Sequence, residues 1–218
     1  MAWVQNTEQT GTSRTDVLRD SPPMFESRLL DACSRVHPLV PIVIFGPAIA
    51  VLAAWSLQSM NVTATIALAI GGYGLWTLFE YWLHRIVFHF EPDRGIGARL
   101  HWIIHGVHHE HPNDPLRLVM PPAVSVPLGA IVFGVLYLVF GSDYAPGLGA
   151  GFFAGYLAYD MIHYYVHHAS PRGRLGRMLR ERHMRHHFQD ETCGFGISAP
   201  YWDEVFRTSS RARRSEHQ

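Results

Sequence analysis

Histidines are the residues whose type and spacing could carry chemistry in this sequence. The chain has 15 of them, and most lie in four clusters between positions 84 and 187. The clusters read His84-Arg-Ile-Val-Phe-His89, His101-Trp-Ile-Ile-His105-Gly-Val-His108-His109-Glu-His111, His163-Tyr-Tyr-Val-His167-His168 and His183-Met-Arg-His186-His187. Because neutral imidazole is a frequent ligand of transition metals, this pattern points to metal chemistry.

Helical spacing predicts which histidines converge. Residues at i, i+3 and i+4 share one face of an α-helix. That spacing relates His105, His108 and His109, then His183, His186 and His187, and the pair His163 and His167. His84 and His89 are five positions apart, which splays them by about 140° on a regular helix. We therefore expect a helix end or a distortion there, with the two rings on different metals or on different sides of one site.

The predicted ligand set has ten members: His84, His89, His105, His108, His109, His163, His167, His183, His186 and His187. A structural zinc site takes four ligands, so ten imidazoles suit two ions with about five nitrogens each. Neutral rings leave the charge of the ions uncompensated, which favours additional anionic ligands derived from water or oxygen. We interpret His101 as an outer-sphere or spare ligand. The remaining histidines are expected not to bind metal: His37, His111, His168 and His217.

Two long stretches without charge predict a membrane location. Residues 36–79 contain no Asp, Glu, Lys or Arg, and residues 118–159 contain only Asp143. Each stretch is long enough for two crossings of about 20 residues, which argues against a soluble enzyme. We predict an all-α integral membrane protein with four transmembrane helices in two hairpins. Their predicted bounds are 39–57, 62–83, 123–140 and 147–165, with turns at 58–61 and 141–146.

The basic residues predict the orientation of these helices. All 18 are arginines, and none lies inside the two apolar stretches. Because positive charge accumulates on the cytosolic side, we place both termini and a helical cap with the dimetal site in the cytosol. The two cysteines form no CxxC pair and map to this reducing side, so no disulfide is expected. The first 35 residues lack a signal-peptide pattern, so no cleaved presequence is expected.

The chain divides into three predicted parts. Residues 1–35 form a cytosolic tail, mobile over 1–23, with either an interfacial helix or a solvated lead-in at 24–36. Residues 36–208 form the membrane domain, and residues 209–218 form a disordered tail. Within the membrane domain, glycines recur every fourth position from 147 to 155 and predict a smooth stripe for close helix packing.

Several motifs extend beyond the histidines. They are EYWLHRIVFH at 80–89, HWIIHGVHHEHPND at 101–114, RLVMPP at 117–122, YDMIHYYVHH at 159–168, RHMRHH at 182–187, and GFGIS with WDEVF at 194–206. With these motifs the chain resembles the fatty acid hydroxylase superfamily of membrane di-iron oxygenases. Within that superfamily it is most similar to the fatty acid 2-hydroxylases, also called sphingolipid α-hydroxylases.

The resemblance implies oxygen-dependent hydroxylation at C2 of long-chain fatty acids or of the acyl chain of ceramide-like lipids. It implies two iron ions on the ten histidines, replaceable by zinc in purified protein, with O2 as co-substrate. Tyr159, Asp160 and Tyr164 are expected to line the polar end of the substrate site. The first 35 residues contain no cytochrome b5 domain, so a separate cytochrome b5, ferredoxin or reductase would supply electrons. The expected location is a bacterial inner membrane or the endoplasmic reticulum.

Two other functions stay open at this point. A sister enzyme, such as a sterol oxidase or desaturase or a carotenoid hydroxylase, would have the same histidine spacing. A membrane metal-binding or transport protein is the alternative from another class, although a transporter would place ligands near the middle of the bilayer. An intramembrane metalloprotease would need HExxH, which residues 109–113 do not provide. No nucleic-acid motif occurs.

Overall fold

The computed structural model describes residues 13–210, and it is all-helical over that range. The helices are α1 (Arg14–Arg19), α2 (Arg28–Cys33), α3 (Leu39–Ser59), α4 (Val62–Trp82), α5 (Gly95–His101), α6 (Val107–Glu110), α7 (Pro122–His168), α8 (Arg174–Phe188) and α9 (Tyr201–Val205). Two π-helical segments, Leu83–Phe88 and Trp102–Gly106, continue α4 and α5. Three of the described helices are long and apolar enough to cross a membrane: α3, α4 with its π-helical extension, and α7.

Helices α3 and α4 form the first hairpin, close to the predicted bounds. Asn61 ends the turn, and its side chain accepts a hydrogen bond from the backbone N–H of Ala64 at 2.9 Å. Such an N-cap satisfies a donor that the first turn of a helix leaves free. Near the turn, the buried hydroxyls of Ser56 and Thr65 lie 3.1 Å apart and link the two helices.

Helix α7 folds back on itself at Gly141. This residue has φ 73° and ψ 179°, outside the helical region and readily adopted only by glycine. The two limbs pack side by side. This is shown by the distance of 3.2 Å between the ring of Phe153 and the position that a Cβ on Gly129 would occupy. A continuous helix would separate those positions by about 36 Å. The predicted turn at 141–146 is too long, since only Gly141 leaves the helical conformation between 122 and 168.

Glycines let α4 and α7 approach until their backbones touch. A Cβ on Gly151 would lie 1.8 Å from the carbonyl oxygen of Ala69, and one on Gly72 would lie 2.0 Å from that of Leu148. No side chain fits at such distances. The predicted glycine stripe is therefore a helix-packing surface, as small residues are in other membrane bundles.

An aromatic core fills the bundle between the hairpins. Its buried members are Phe45, Leu52, Trp76, Ala150, Phe152, Phe153, Tyr156, Tyr159 and Ile197. Trp76 meets Phe152 edge to face with ring centroids 5.2 Å apart, an arrangement that aromatic pairs favour. Because Ile197 comes from the segment before α9, the core also anchors the C-terminal part of the cap.

The described part of the N-terminal segment is attached to the cap. The ring of His111 donates from Nδ1 to the carbonyl of Val17 at 2.7 Å, and the buried Arg117 pairs with Asp31 at 3.0 Å. A mobile tail was predicted for residues 1–23, but the carbonyls of Val17 and Leu18 accept hydrogen bonds from His111 and Asn113. Residues 1–12 and 211–218 lie outside the described residues, and with them most of the tail predicted at 209–218.

Candidate metal centre

All four histidine clusters lie at one end of the helical bundle. The first follows α4, the second spans the α5–α6 region, the third ends α7, and the fourth lies on α8. The turns at Asn61 and Gly141 are at the opposite end, so the segments that carry the clusters meet. Ten imidazoles from positions far apart in sequence converge there.

The ten predicted ligands form two groups of five. Group A consists of His84, His89, His105, His109 and His186. Group B consists of His108, His163, His167, His183 and His187. Within each group the nearest ring nitrogens all lie within 4.8 Å of one another. The rings of His109 and His187 have centroids 4.3 Å apart, so the two groups adjoin.

The two histidine triplets divide between the groups in a crossed pattern. In the triplet at positions 105, 108 and 109, the i, i+4 pair His105 and His109 lies in group A, whereas His108 lies in group B. In the α8 triplet the pair at 183 and 187 lies in group B, whereas His186 lies in group A. The spacing correctly predicted that each triplet converges. It did not show that each triplet serves both groups.

A π-helical turn places His84 and His89 in the same group. The backbone N–H of His89 donates to the carbonyl of His84 at 3.2 Å, an i→i−5 hydrogen bond. This bond accommodates one extra residue in the turn and brings residues five apart onto one face. The predicted distortion is present. The two rings had been expected on different metals or on different sides of one site, and the structure places them on different sides of one site.

The ring nitrogens in both groups have the spacing of ligands around one ion. In group A, Nε2 of His89 lies 3.2 Å from Nε2 of His84 and 3.0 Å from Nε2 of His186. The latter two rings use Nδ1 as a donor to backbone carbonyls, so when neutral they present lone pairs at Nε2. Ligands at right angles with metal–nitrogen bonds of about 2.1 Å lie about 3.0 Å apart. The residues therefore fit a bound transition metal.

Burial keeps these imidazoles neutral. It lowers the pKa of His89 to about 3, aided by repulsion from His186. It lowers the pKa of His186 to about 4, although the hydrogen bond to the Cys193 carbonyl opposes this shift. Burial, ahead of repulsion from neighbouring rings, also lowers the pKa of His105, His108, His109, His183 and His187. Neutral rings are the form that binds metal.

Among the described residues, the histidines outside the predicted set of ten lie outside both groups, including His101, which was interpreted as an outer-sphere or spare ligand. His101 lies 3.8 Å from Glu91, and His111 bonds the N-terminal segment. His168 packs its ring against Tyr164 with centroids 4.4 Å apart. His37 accepts the backbone N–H of Leu39 at 3.2 Å, and His217 lies outside the described residues.

An apolar cavity of about 450 Å³ ends at the histidines. Its walls come from residues 24–34, 83–88, 103–108, 117–128 and 159–163. His105, His108 and His163 form its polar end, so both groups face it. Most of the remaining lining is aliphatic or aromatic, which suits a hydrocarbon chain.

The structure places two of the three predicted substrate-lining residues on this cavity. Tyr159 and Asp160 line it next to His163, whereas Tyr164 does not. Tyr164 follows His163 directly and so lies on another face of α7, against His168. Asp160 is buried, and Nδ1 of His163 has no hydrogen-bond partner among residues 13–210. Asp160 therefore does not orient that ring.

Comparison with known proteins identifies the family. The profile of the fatty acid hydroxylase family matches residues 69–208, well over half of the chain. This chain belongs to the fatty acid hydroxylase family.

The relatives of this hydroxylase share most of its length. It is 37% identical to a dihydroceramide fatty acyl 2-hydroxylase of Arabidopsis thaliana, over 91% of this chain and 85% of that protein. It is 36% identical to a ceramide very long chain fatty acid hydroxylase of Saccharomyces cerevisiae, over 87% of this chain and 50% of that protein. The solved hydroxylase domain of scs7p aligns with a TM-score of 0.80 at 34% identity, over 84% of this chain and 70% of that one.

The hydroxylase has a second cavity that also reaches the histidines and has more polar groups in its lining. Its volume is about 840 Å³, and its lining includes His101, His109, Glu110 and Glu191. Nδ1 of His109 lies 3.9 Å from a carboxylate oxygen of Glu191. The centre therefore adjoins two separate cavities, one lined by His105, His108 and His163 and one lined by His109 and His187.

Sequence analysis did not predict the groups that form hydrogen bonds with the Nδ1 atoms of two rings in group A. The ring of His84 donates from Nδ1 to the carbonyl of Phe195 at 2.7 Å, and that of His186 donates to the carbonyl of Cys193 at 2.8 Å. Such bonds fix the tautomer and orientation of a metal ligand. The GFGIS motif at 194–198 drew attention to this segment. Because every residue type has a backbone carbonyl, however, the motif could not reveal this role.

Proposed function

We propose that this protein is a membrane-bound, oxygen-dependent fatty acyl 2-hydroxylase. It inserts a hydroxyl at C2 of a long-chain fatty acid or of the acyl chain of a ceramide-like lipid. The observation that carries this proposal is the apolar cavity whose lining includes His105, His108 and His163. A hydrocarbon chain in that cavity would present a carbon near its polar end to both histidine groups. The names of the relatives in plants, fungi and mammals support the same reaction.

In this proposal groups A and B each hold one iron ion. Iron bound there would supply the oxidation of a C–H bond by O2, with two electrons and two protons completing the formation of water. Iron suits imidazole ligands, and zinc competes for the same sites during purification. The ten histidines would bind and orient the ions through their Nε2 atoms, which face one another in the structure, and would contribute no proton.

The cavity walls determine which carbon is exposed to the centre. Tyr159 and Asp160 lie beside His163, where the polar end of the lipid would rest. The apolar walls hold the rest of the chain and exclude water from the substrate side of the centre. Water exclusion matters because an unused oxidising centre would otherwise react with its surroundings.

We propose four membrane crossings with the histidines on the cytosolic side. Helices α3 and α4 supply two crossings, and the limbs of α7 on either side of Gly141 supply the other two. Both turns lack positive charge, whereas the histidine end carries the arginines, in line with the positive-inside rule. The cavity then receives lipid from the membrane side, in a bacterial inner membrane or the endoplasmic reticulum.

We propose that the electrons come from a separate cytochrome b5, ferredoxin or reductase. The second cavity, lined by His101 and Glu191, also contains His109 and His187 and so offers a route to the centre. Helix α8 and the loop before it present six arginines between 172 and 185, which would attract an acidic partner.

Lipid analysis of expressing cells tests this function against its alternatives. Cells without a 2-hydroxylase of their own should accumulate 2-hydroxy acyl lipids when they express this chain. The matched His105→Ala variant should give none at equal expression. Hydroxylated sterols or carotenoids without 2-hydroxy acyl lipids would indicate a sister enzyme, and metal uptake without any hydroxylated product would indicate a metal-binding protein.

A further inference from the structure

Groups A and B have matching ligand sets but different surroundings. Each group takes two rings from one segment (His84 and His89, or His163 and His167), an i, i+4 pair from a triplet, and one ring from the other triplet. The ligand sets alone therefore predict two equal ions. The difference lies in the outer nitrogens, the Nδ1 atoms that face away from the ions.

Two rings of group A are held by backbone carbonyls of one loop, residues 193–199. Phe195 accepts from His84 at 2.7 Å, and Cys193 accepts from His186 at 2.8 Å. Both rings are almost completely buried. Neither ring can rotate or change tautomer without breaking its bond to the loop.

Most rings of group B have no such support. The Nδ1 atoms of His163, His167, His183 and His187 are buried and have no hydrogen-bond partner within residues 13–210. Packing alone orients these rings. Their tautomers are set by the ion rather than by the protein.

Asp203 fixes the loop that supports group A. Its carboxylate accepts the backbone N–H of Phe195 at 2.9 Å and that of Gly196 at 3.0 Å. It also accepts the hydroxyl of Thr208 at 2.8 Å, and the Asp203 side chain is fully enclosed. Charge-assisted hydrogen bonds of this kind are about twice as strong as neutral ones. Asp203 therefore determines where the two carbonyls point.

We infer that the two metal sites are unequal: group A binds its ion more tightly than group B, and Asp203 is the positioning residue responsible. The inference rests on the proposed dimetal centre. Outer hydrogen bonds raise the basicity of a ligating imidazole and remove the cost of orienting it, and their loss typically weakens metal binding about 10–100-fold. Group A has these bonds from the loop, and four rings of group B lack them.

Zinc competition on the full chain in detergent tests this inference. Metal-free protein is loaded with zinc and titrated with a coloured zinc chelator of known affinity. Wild-type protein should release two equivalents in two separate steps. Asp203→Asn should weaken the tight step about 10–100-fold and leave the weak step unchanged. The matched control is Glu204→Gln, because this carboxylate lies next in α9 but bonds Arg182 and Ser209 instead.

Two ligand variants assign the steps to the groups. His183→Ala should keep the tight ion, whereas His84→Ala should lose it. Should Asp203→Asn fail to fold, Thr208→Val removes one donor to the same carboxylate with little change of shape and should weaken the same step less. Release of both wild-type ions in one step, or equal weakening of both steps by Asp203→Asn, overturns the inference and leaves the proposed function standing. Absence of any bound zinc overturns both.

Discussion

The backbone N–H of Ser198 donates a hydrogen bond to the carboxylate of Glu80 at 2.8 Å, across 118 positions of the chain. The hydroxyl of Ser198 donates to the other carboxylate oxygen. Glu80 is 2% exposed and lies one helical turn before His84 on α4. The bond therefore joins the helix that carries the first histidines to the loop whose carbonyls hold two of the rings.

Glu80→Gln should destabilise the protein. The amide nitrogen cannot accept a hydrogen bond, so the half-buried Ser198 loses an acceptor for its N–H or its O–H, at a cost of about 1–3 kcal/mol. Chemical denaturation in detergent would measure the lower free energy of unfolding. Glu181→Gln is the control, because its carboxylate is exposed and pairs with the surface residue Arg185. Equal effects of the two substitutions would mean that the Ser198 bond contributes nothing.

The variants His105→Ala and His101→Ala should distinguish a metal ligand from a nearby histidine that does not bind the metal. The two histidines lie one turn apart, but only His105 belongs to group A. His105→Ala should lose one bound ion per chain and all hydroxylated product. His101→Ala should retain both ions. Elemental analysis together with lipid product analysis would check this, and full metal content in the His105 variant would refute the grouping.

The metal-free protein should lose stability as the pH falls below 6.5. In the folded state the pKa values of His89 and His186 are about 3 and about 4, and unfolding returns both to about 6.5. Below pH 6.5 the unfolded state therefore binds more protons than the folded state. The contribution of each ring to the free energy of unfolding is fully retained above pH 6.5. As the pH falls, it decreases by up to about 1.4 kcal/mol per pH unit, until about pH 4 for His186 and about pH 3 for His89.

Denaturation of the metal-free protein at several pH values would measure this loss. The zinc-loaded protein serves as the comparison, since protons must displace the ion before they reach the rings and the loss should begin at lower pH. A flat profile between pH 7 and pH 4 in the metal-free protein would contradict the burial of these rings.

Gly151→Ala should disrupt the contact between α4 and α7. The new Cβ would lie 1.8 Å from the Ala69 carbonyl oxygen, so the helices must separate, at a cost of about 1–3 kcal/mol or more. Gly74→Ala is the matched control, because nothing lies within 4 Å of its Cβ position. Thermal denaturation in detergent should show a large loss for the first variant and little change for the second. Similar melting temperatures would argue against the close helix contact.

The sequence was sufficient to predict features that local spacing determines. The first hairpin and its turn at Asn61 follow from apolar length, and helical periodicity accounts for the convergence within each of the other three histidine clusters, but not for that of His84 and His89. The division between the groups does not follow, because periodicity describes one helix. Whether His108 joins the group of His105 and His109 or the neighbouring group depends on how the helices cross. The π-helical turn at His89 was foreseen only as an unspecified distortion.

Other features depend on contacts between distant positions. The bonds from Ser198 to Glu80 and from His84 to Phe195 join residues more than a hundred positions apart. No local pattern marks either pair, although both lie in motifs that the resemblance picked out. The attachment of residues 13–23 to the cap was missed for the same reason. A polar, proline-ended segment is typical of a mobile tail unless its tertiary partners are known.

The central claim is that iron on these histidines inserts oxygen from O2 at C2 of an acyl chain. Purified protein loaded with iron, given an electron donor, ¹⁸O₂ and an acyl lipid with two deuterium atoms at C2, tests it most directly. Mass spectrometry should find a product that has lost one deuterium and gained one ¹⁸O at C2, and none with the zinc-loaded protein. Oxygen from water in the product, both deuterium atoms retained, or equal turnover with zinc would contradict the account.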